Sequence, residues 1–203
     1  MNRAVYLYVG ILVTVISSFA GLVTIPERQL RGLQPLETAD GGQYPVEPAG
    51  MVADGREVYR SDGCLYCHSQ QVRPEDFGAD ILRGWGPRRT VARDHIFDDP
   101  PLLGTMRTGP DLANIGVRQP SDNWHLLHLY DPQLTSPGSI MPPFRFLFEQ
   151  RPVEVEMPYD ALQFPPDDAP PEGTMVVPTR RAKALVAYLK SLDHTHPVPA
   201  VSP

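Results

Sequence analysis

The chain has 203 residues and a formal charge of −6, from 18 basic and 24 acidic side chains, so a polyanion such as nucleic acid is excluded as a partner on charge grounds. Twenty-four prolines and 16 glycines exclude a body built mainly of long helices or central strands, because each proline fixes φ and removes a donor. One domain of ordinary size with appendages is expected, made of short helices and long rigid loops. Lys183 and Lys190 are the only lysines, so a flexible point-charge docking patch is missing.

From Ala4 to Ile25 the sequence "AVYLYVGILVTVISSFAGLVTI" carries no charge. As a helix rising about 1.5 Å per residue it spans roughly the 30 Å of a bilayer core. The rival reading is a cleaved signal peptide, for which "SFAG" at 18–21 offers small residues. The apolar run is longer than a usual signal core and only Arg3 precedes it, so residues 1–26 are read as a retained transmembrane anchor. Tyr6 and Tyr8 suit a membrane interface. Residues 27–50 mix proline, glycine and charge without apolar period and read as an extended connector.

A domain over 51–195 follows. Asp54 is read as the N-cap of a helix running through "GREVYRSDGCLYCH", with Val58, Cys64 and Cys67 facing a common core if Gly63 stays helical. From Arg73 to Pro110 no period is sustained, and "GPRR" and "DDPP" predict surface loop. Ser121 is expected to cap "DNWHLLHLY", which stops before Pro132. Thr179 is expected to cap "RRAKALVAYLKSL", whose Ala182, Leu185, Val186, Leu189 and Leu192 form one stripe. The intervening "QFPPDDAPPEGTMVVP" is a proline-rich excursion, and 196–203 a frayed tail.

The two cysteines, Cys64 and Cys67, stand three apart with His68 directly after them. C-x-x-C-H is the spacing of a c-type haem attachment site: two thiols reach the vinyl groups on one side of a porphyrin while an imidazole binds iron from below. The alternatives each lack a part. Structural zinc wants four ligands, a dithiol oxidoreductase wants a helix start inside an α/β fold, and a disulfide across two residues is a strained staple.

With His68 at one axial position, a thioether at the other suits electron transfer and an open position suits gas binding. Met141, in "SIMPPF", is the preferred distal ligand, because a Met-Pro step keeps the backbone extended. Met157 is next, and Met106 and Met175 follow. His125 and His128 share a face if helical, but such histidines are more often bonded to carbonyls than to metal. In "RTGPDL", Arg107 beside a Gly-Pro turn is placed to pair with a haem propionate, and Asp111 to order the turn. Trp124 is read as core filler or a neighbour of the ring.

Taken in order, "GREVYRSDGCLYCHSQQVRP", "RTGPDLANIGVRQPSDNWHLLHLYDPQ", "SIMPPF" and "ALVAYLKSL", after an anchor ending "GLVTIP", resemble the membrane-anchored mono-haem subunit, subunit II, of cbb3-type cytochrome c oxidases. The resemblance covers about two thirds of the chain. It implies a mainly α class-I cytochrome c domain behind one transmembrane helix, with one covalent haem c. Cys64 and Cys67 would anchor that haem, with His68 and Met141 as axial ligands and Arg107, Thr108, Gly109 and Pro110 along its edge. It further implies a bacterial inner membrane location with the domain periplasmic. The partners implied are a catalytic subunit with b-type haems and copper, which would receive the electrons, and a di-haem cytochrome c subunit, which would supply them. On this reading the chain does not itself reduce oxygen. A mono-haem module of this kind also suits a nitric-oxide reductase, or a free carrier tethered to the membrane.

Overall fold

The computed structural model describes residues 3–153 and 159–199. The chain divides into two compact units, Met1–Val46 with Val91–Ile96, and Glu47–Thr90 with Phe97–Pro203.

In the first unit a single helix runs from Arg3 to Leu30, past the boundary at residue 26 expected from hydropathy. It comprises α1 (Arg3–Phe19), a wide turn over Ala20–Thr24 and α2 (Ile25–Leu30). None of its residues is buried, and it is long and apolar enough to cross a membrane. Thr14 donates its hydroxyl to the Gly10 carbonyl at 2.9 Å, so the polar group is satisfied within the span. The wide turn has a cause in the sequence. Pro26 lacks an N–H and its ring crowds the carbonyl four residues back; just before it the helix loosens, and the Ile25 N–H reaches Ala20 O, five residues away.

The connector folds into an antiparallel hairpin, β1 (Leu36–Glu37) against β2 (Gln43–Tyr44), with Leu36 opposite Tyr44. Tyr44 is buried and donates its hydroxyl to Asp94 Oδ1 at 2.8 Å. Asp94 also accepts from the Val91 amide at 2.9 Å.

The second unit is built on α3 (Met51–Ser61) crossing α6 (Arg180–Ser191), with α4 (Ile115–Arg118) and α5 (Asp122–Tyr130) beside them. Two predicted caps are found: Ser121 Oγ accepts from the Trp124 amide and Thr179 Oγ1 from the Ala182 amide, both at 3.3 Å. All five stripe residues, Ala182, Leu185, Val186 and Leu189 on α6 and Leu192 just past its end, are buried, the leucines and the valine each contributing about 1.5–3 kcal/mol of transfer free energy. α3 and α6 meet at Gly55, where an added Cβ would lie 1.9 Å from the Ala184 carbonyl oxygen; only a residue without a side chain allows this approach. The Tyr59 and Tyr188 rings pack at 5.4 Å beside the crossing.

α3 differs from expectation at both ends. It begins at Met51 after Gly50, so Asp54 lies in its first turn and not at the cap. It ends at Ser61, because Gly63 takes φ +78°, a left-handed conformation that stops a helix and suits glycine.

The proline-rich excursion hides a strand. β4 (Thr174–Pro178) pairs antiparallel with β3 (Phe148–Pro152), Gln150 opposite Val176, and buries Met175, Val176 and Val177.

Candidate functional site

Beyond Gly63 the chain makes a tight 3-10 turn over Cys64–Tyr66. The amides of Cys67 and His68 both donate to Cys64 O, at 3.2 and 3.0 Å. Cys64, Cys67 and His68 are thus held on one short turn, although not on a continuation of α3. Both cysteines are free thiols; Cys64 is half-buried and Cys67 exposed. Burial, then the Asp62 carboxylate, pushes the Cys64 thiol up to about 12. A redox dithiol needs the opposite shift, so the oxidoreductase reading finds no support. Nor does zinc: among the described residues no group of three or more His, Cys, Asp or Glu is arranged to hold a metal ion.

The "RTGPD" segment closes on this turn. The Gly109 amide donates to Cys67 O at 2.9 Å, and His68 Nδ1–H donates to Pro110 O at 2.8 Å. That bond fixes the tautomer and the ring plane and leaves the Nε2 lone pair free, the arrangement usual where a histidine binds metal. Burial lowers the His68 pKa, opposed by the bond to Pro110 and the charge of Asp111, so the imidazole is kept neutral with its lone pair available. A Cβ on Gly109 would lie 2.3 Å from His68 Cε1; a glycine here is what lets the loop approach the ring.

Behind the ring lies a buried charge network. Asp111 and Asp80 are both fully buried. Asp111 accepts from Ser69 Oγ at 2.6 Å and from the amides of Gln71 and Ala113 at 2.7 and 2.9 Å, and so orders the turn as its place in the sequence predicts. Asp80 accepts from the Arg73 amide at 2.8 Å, the Arg73 guanidinium at 2.9 Å and the Arg107 guanidinium at 2.7 Å. Arg107 also donates to Ser69 Oγ at 2.7 Å and to the Gln71 carbonyl. Its Nε, Nη1 and Nη2 each make one such bond within the protein. Arg107 locks the segment that follows His68 to the loop that orients it. Thr108 is exposed beside this loop. Ser69 and Asp80 were not singled out by sequence reasoning, and no spacing marks either.

Met141 is half-buried and packs on the hydrophobic core that Cys64 and Leu65 also border. The other described methionines suit the role less. Met106 is 60 % exposed and Met51 49 %, and Met175 is buried within β4. Met157 lies outside the described residues. The exposed Pro142 and Pro143 follow Met141, and its amide donates to Ser139 Oγ at 3.3 Å. His125 and His128 part company. His125 is buried and its Nε2 pairs with Gln119 O at 2.8 Å, a satisfied core histidine. His128 stacks on Trp124 at 4.8 Å with 8° between the planes and joins Nδ1 to Thr135 Oγ1 at 2.6 Å.

The donor set fits a haem: two free thiols on one turn, a neutral imidazole oriented through its far nitrogen, and a half-buried thioether on the same core. Thioether bonds to Cys64 and Cys67, with His68 and Met141 as axial ligands, would supply one-electron chemistry at the iron.

A family model described as "Cytochrome C oxidase, mono-heme subunit/FixO" matches residues 2–164. The matched span takes in the apolar helix, the cysteine turn, the "RTGPD" loop, α5 and Met141, and ends before β4 and α6. Comparison with curated proteins finds no match.

Proposed function

The chain belongs to the mono-haem subunit family of the cytochrome c oxidases, and from that premise we propose that it carries one covalent haem c and relays single electrons to a catalytic subunit with b-type haems and copper. One observation carries the reading: His68 is held through Nδ1 by Pro110 O, on the same turn as two free thiols. With His68 and Met141 both as ligands, the iron would have two protein donors and no vacant position for oxygen. Such a site passes electrons with little reorganisation and leaves oxygen chemistry to a neighbour.

Membrane attachment is supported by the helix Arg3–Leu30. Thioether attachment of haem takes place outside the cytoplasmic membrane, which supports a periplasmic position for the unit that carries Cys64 and Cys67. The assignment to a cbb3-type oxidase, with a di-haem cytochrome c subunit as electron donor, rests on the ordered motifs. Both lysines are paired, Lys183 with Asp160 and Lys190 with Asp122.

The test is purification of the tagged chain in mild detergent, with identification of the co-purifying chains by mass spectrometry and a reduced-minus-oxidised spectrum. A b-haem and copper subunit together with a di-haem cytochrome supports the relay. A nitric-oxide reductase core, or no companion at all, replaces it.

A further inference from the structure

The segment that carries Met141 leaves α5 and returns to it. It departs at Asp131, whose Oδ1 accepts from the Gln133 amide at 3.2 Å, and it comes back where the Phe144 amide donates to Leu129 O at 2.8 Å. Between these ends its hydrogen bonds are local: Ser136 N to Pro132 O at 2.9 Å, Ser139 N to Ser136 O at 3.0 Å and Met141 N to Ser139 Oγ at 3.3 Å. Among the described residues, one hydrogen bond enters the interior of this loop from outside it, that between His128 Nδ1 and Thr135 Oγ1 at 2.6 Å.

The network assigns its direction. The Thr135 hydroxyl has Pro132 O within reach as an acceptor at 3.3 Å, and in that arrangement it accepts from His128 Nδ1–H. The imidazole is well placed to act as an anchor, because it sits on a helix and lies flat against Trp124. Its environment keeps it neutral: burial is the chief cause that lowers its pKa to about 4.

We infer that His128 is a positioning residue for the distal ligand, clamping the loop through Thr135 so that the Met141 sulfur is held where the haem iron needs it. The inference rests on Met141 being that ligand. Loop and helix are already joined at both ends, so this bond sets the freedom of the middle, where the ligand is presented. Loosening it favours displacement of the sulfur by a competing base. The loss of one neutral hydrogen bond corresponds to about a fivefold to tenfold change in that equilibrium.

The experiment uses the full chain with its haem, in the ferric state, titrated with free imidazole. The charge-transfer absorption of the sulfur–iron bond is the readout. Thr135→Val removes the acceptor at nearly constant volume, and His128→Leu removes the donor. Each is expected to raise the apparent imidazole affinity about fivefold to tenfold, the double variant no further than either alone. Thr135→Ser, which restores the hydroxyl, and His128→Asn, which restores a donor near Nδ1, are expected to return toward the parent value. Unchanged affinity in Thr135→Val, simple addition in the double variant, or failure of Thr135→Ser to restore would each overturn the inference while leaving Met141 as ligand. Absence of the sulfur–iron band from the parent chain itself would remove Met141 and the inference together.

Discussion

Gly109 lies against the imidazole of His68 so closely that a methyl group in place of its hydrogen would stand 2.3 Å from Cε1. The approach allows the Gly109 amide to reach Cys67 O while Pro110 O holds His68 Nδ1. Backbone contact therefore fixes the plane of the His68 ring, on a loop that Arg107 and Asp111 hold in place.

Gly109→Ala is expected to push the ring or the loop aside, an overpacking effect of about 1–3 kcal/mol. The measurement is haem content per chain together with the ferric absorption spectrum of whatever haem is retained. Lower content or altered iron ligation is expected. Full loading with a parent spectrum would show that the loop yields without moving His68.

Asp80→Asn leaves Arg73 and Arg107 without their shared buried carboxylate and is expected to destabilise the domain by about 3 kcal/mol at neutral pH. The pH dependence has a definite sign. Burial alone would raise the Asp80 pKa, but hydrogen bonds from Arg73 and Arg107 with the Arg107 charge outweigh it and hold the carboxyl below the ordinary range. A group depressed in the folded state contributes its stability above the unfolded value of about 4, and loses it as pH falls through the folded value. The gap in melting temperature between parent and variant should thus be full at pH 7 and narrow below about pH 4. A gap independent of pH would mean that shape and not charge is what Asp80 supplies.

Gly55→Ala places a Cβ 1.9 Å from the Ala184 carbonyl oxygen, which is backbone and has nowhere to turn. Separation of α3 from α6 is expected, with a loss of about 3 kcal/mol or more, read as reduced folded yield and a lower melting temperature. Parent-like stability would mean that the two helices slide apart at little cost.

Cys64→Ala and Cys67→Ala each leave one thiol able to hold the porphyrin. Either variant alone is expected to keep haem through acid-acetone extraction, with the α band shifted to longer wavelength by the remaining vinyl. The double variant is expected to release it. Haem lost completely in one single variant and retained fully in the other would assign attachment to one cysteine only.

The parts of the fold legible in the sequence were those with local causes. α5 and α6 announced themselves through Ser121 and Thr179 and through an apolar stripe at helical spacing. The end of α3 was harder, because Gly63 is compatible with a weak helix and with a stop, and only its left-handed φ decides. The pairing of β4 with β3 was hidden between prolines at 152 and 178, since its register is set by burial of Met175, Val176 and Val177 and not by a turn. At the site, the sharing of one short turn by Cys64, Cys67 and His68 was readable from their spacing. The direction of Arg107 was not readable: its partner Asp80 lies 27 residues upstream in a loop without period. Thr135 likewise gains meaning only once α5 brings His128 beside it.

The central claim is a porphyrin joined to this polypeptide through Cys64 and Cys67. Its most direct test is the mass of the purified chain after denaturation and acid-acetone extraction. The account predicts a chain heavier than its polypeptide by one haem, with the added mass on the peptide containing residues 64–68. A colourless chain with the mass of the bare polypeptide would contradict it.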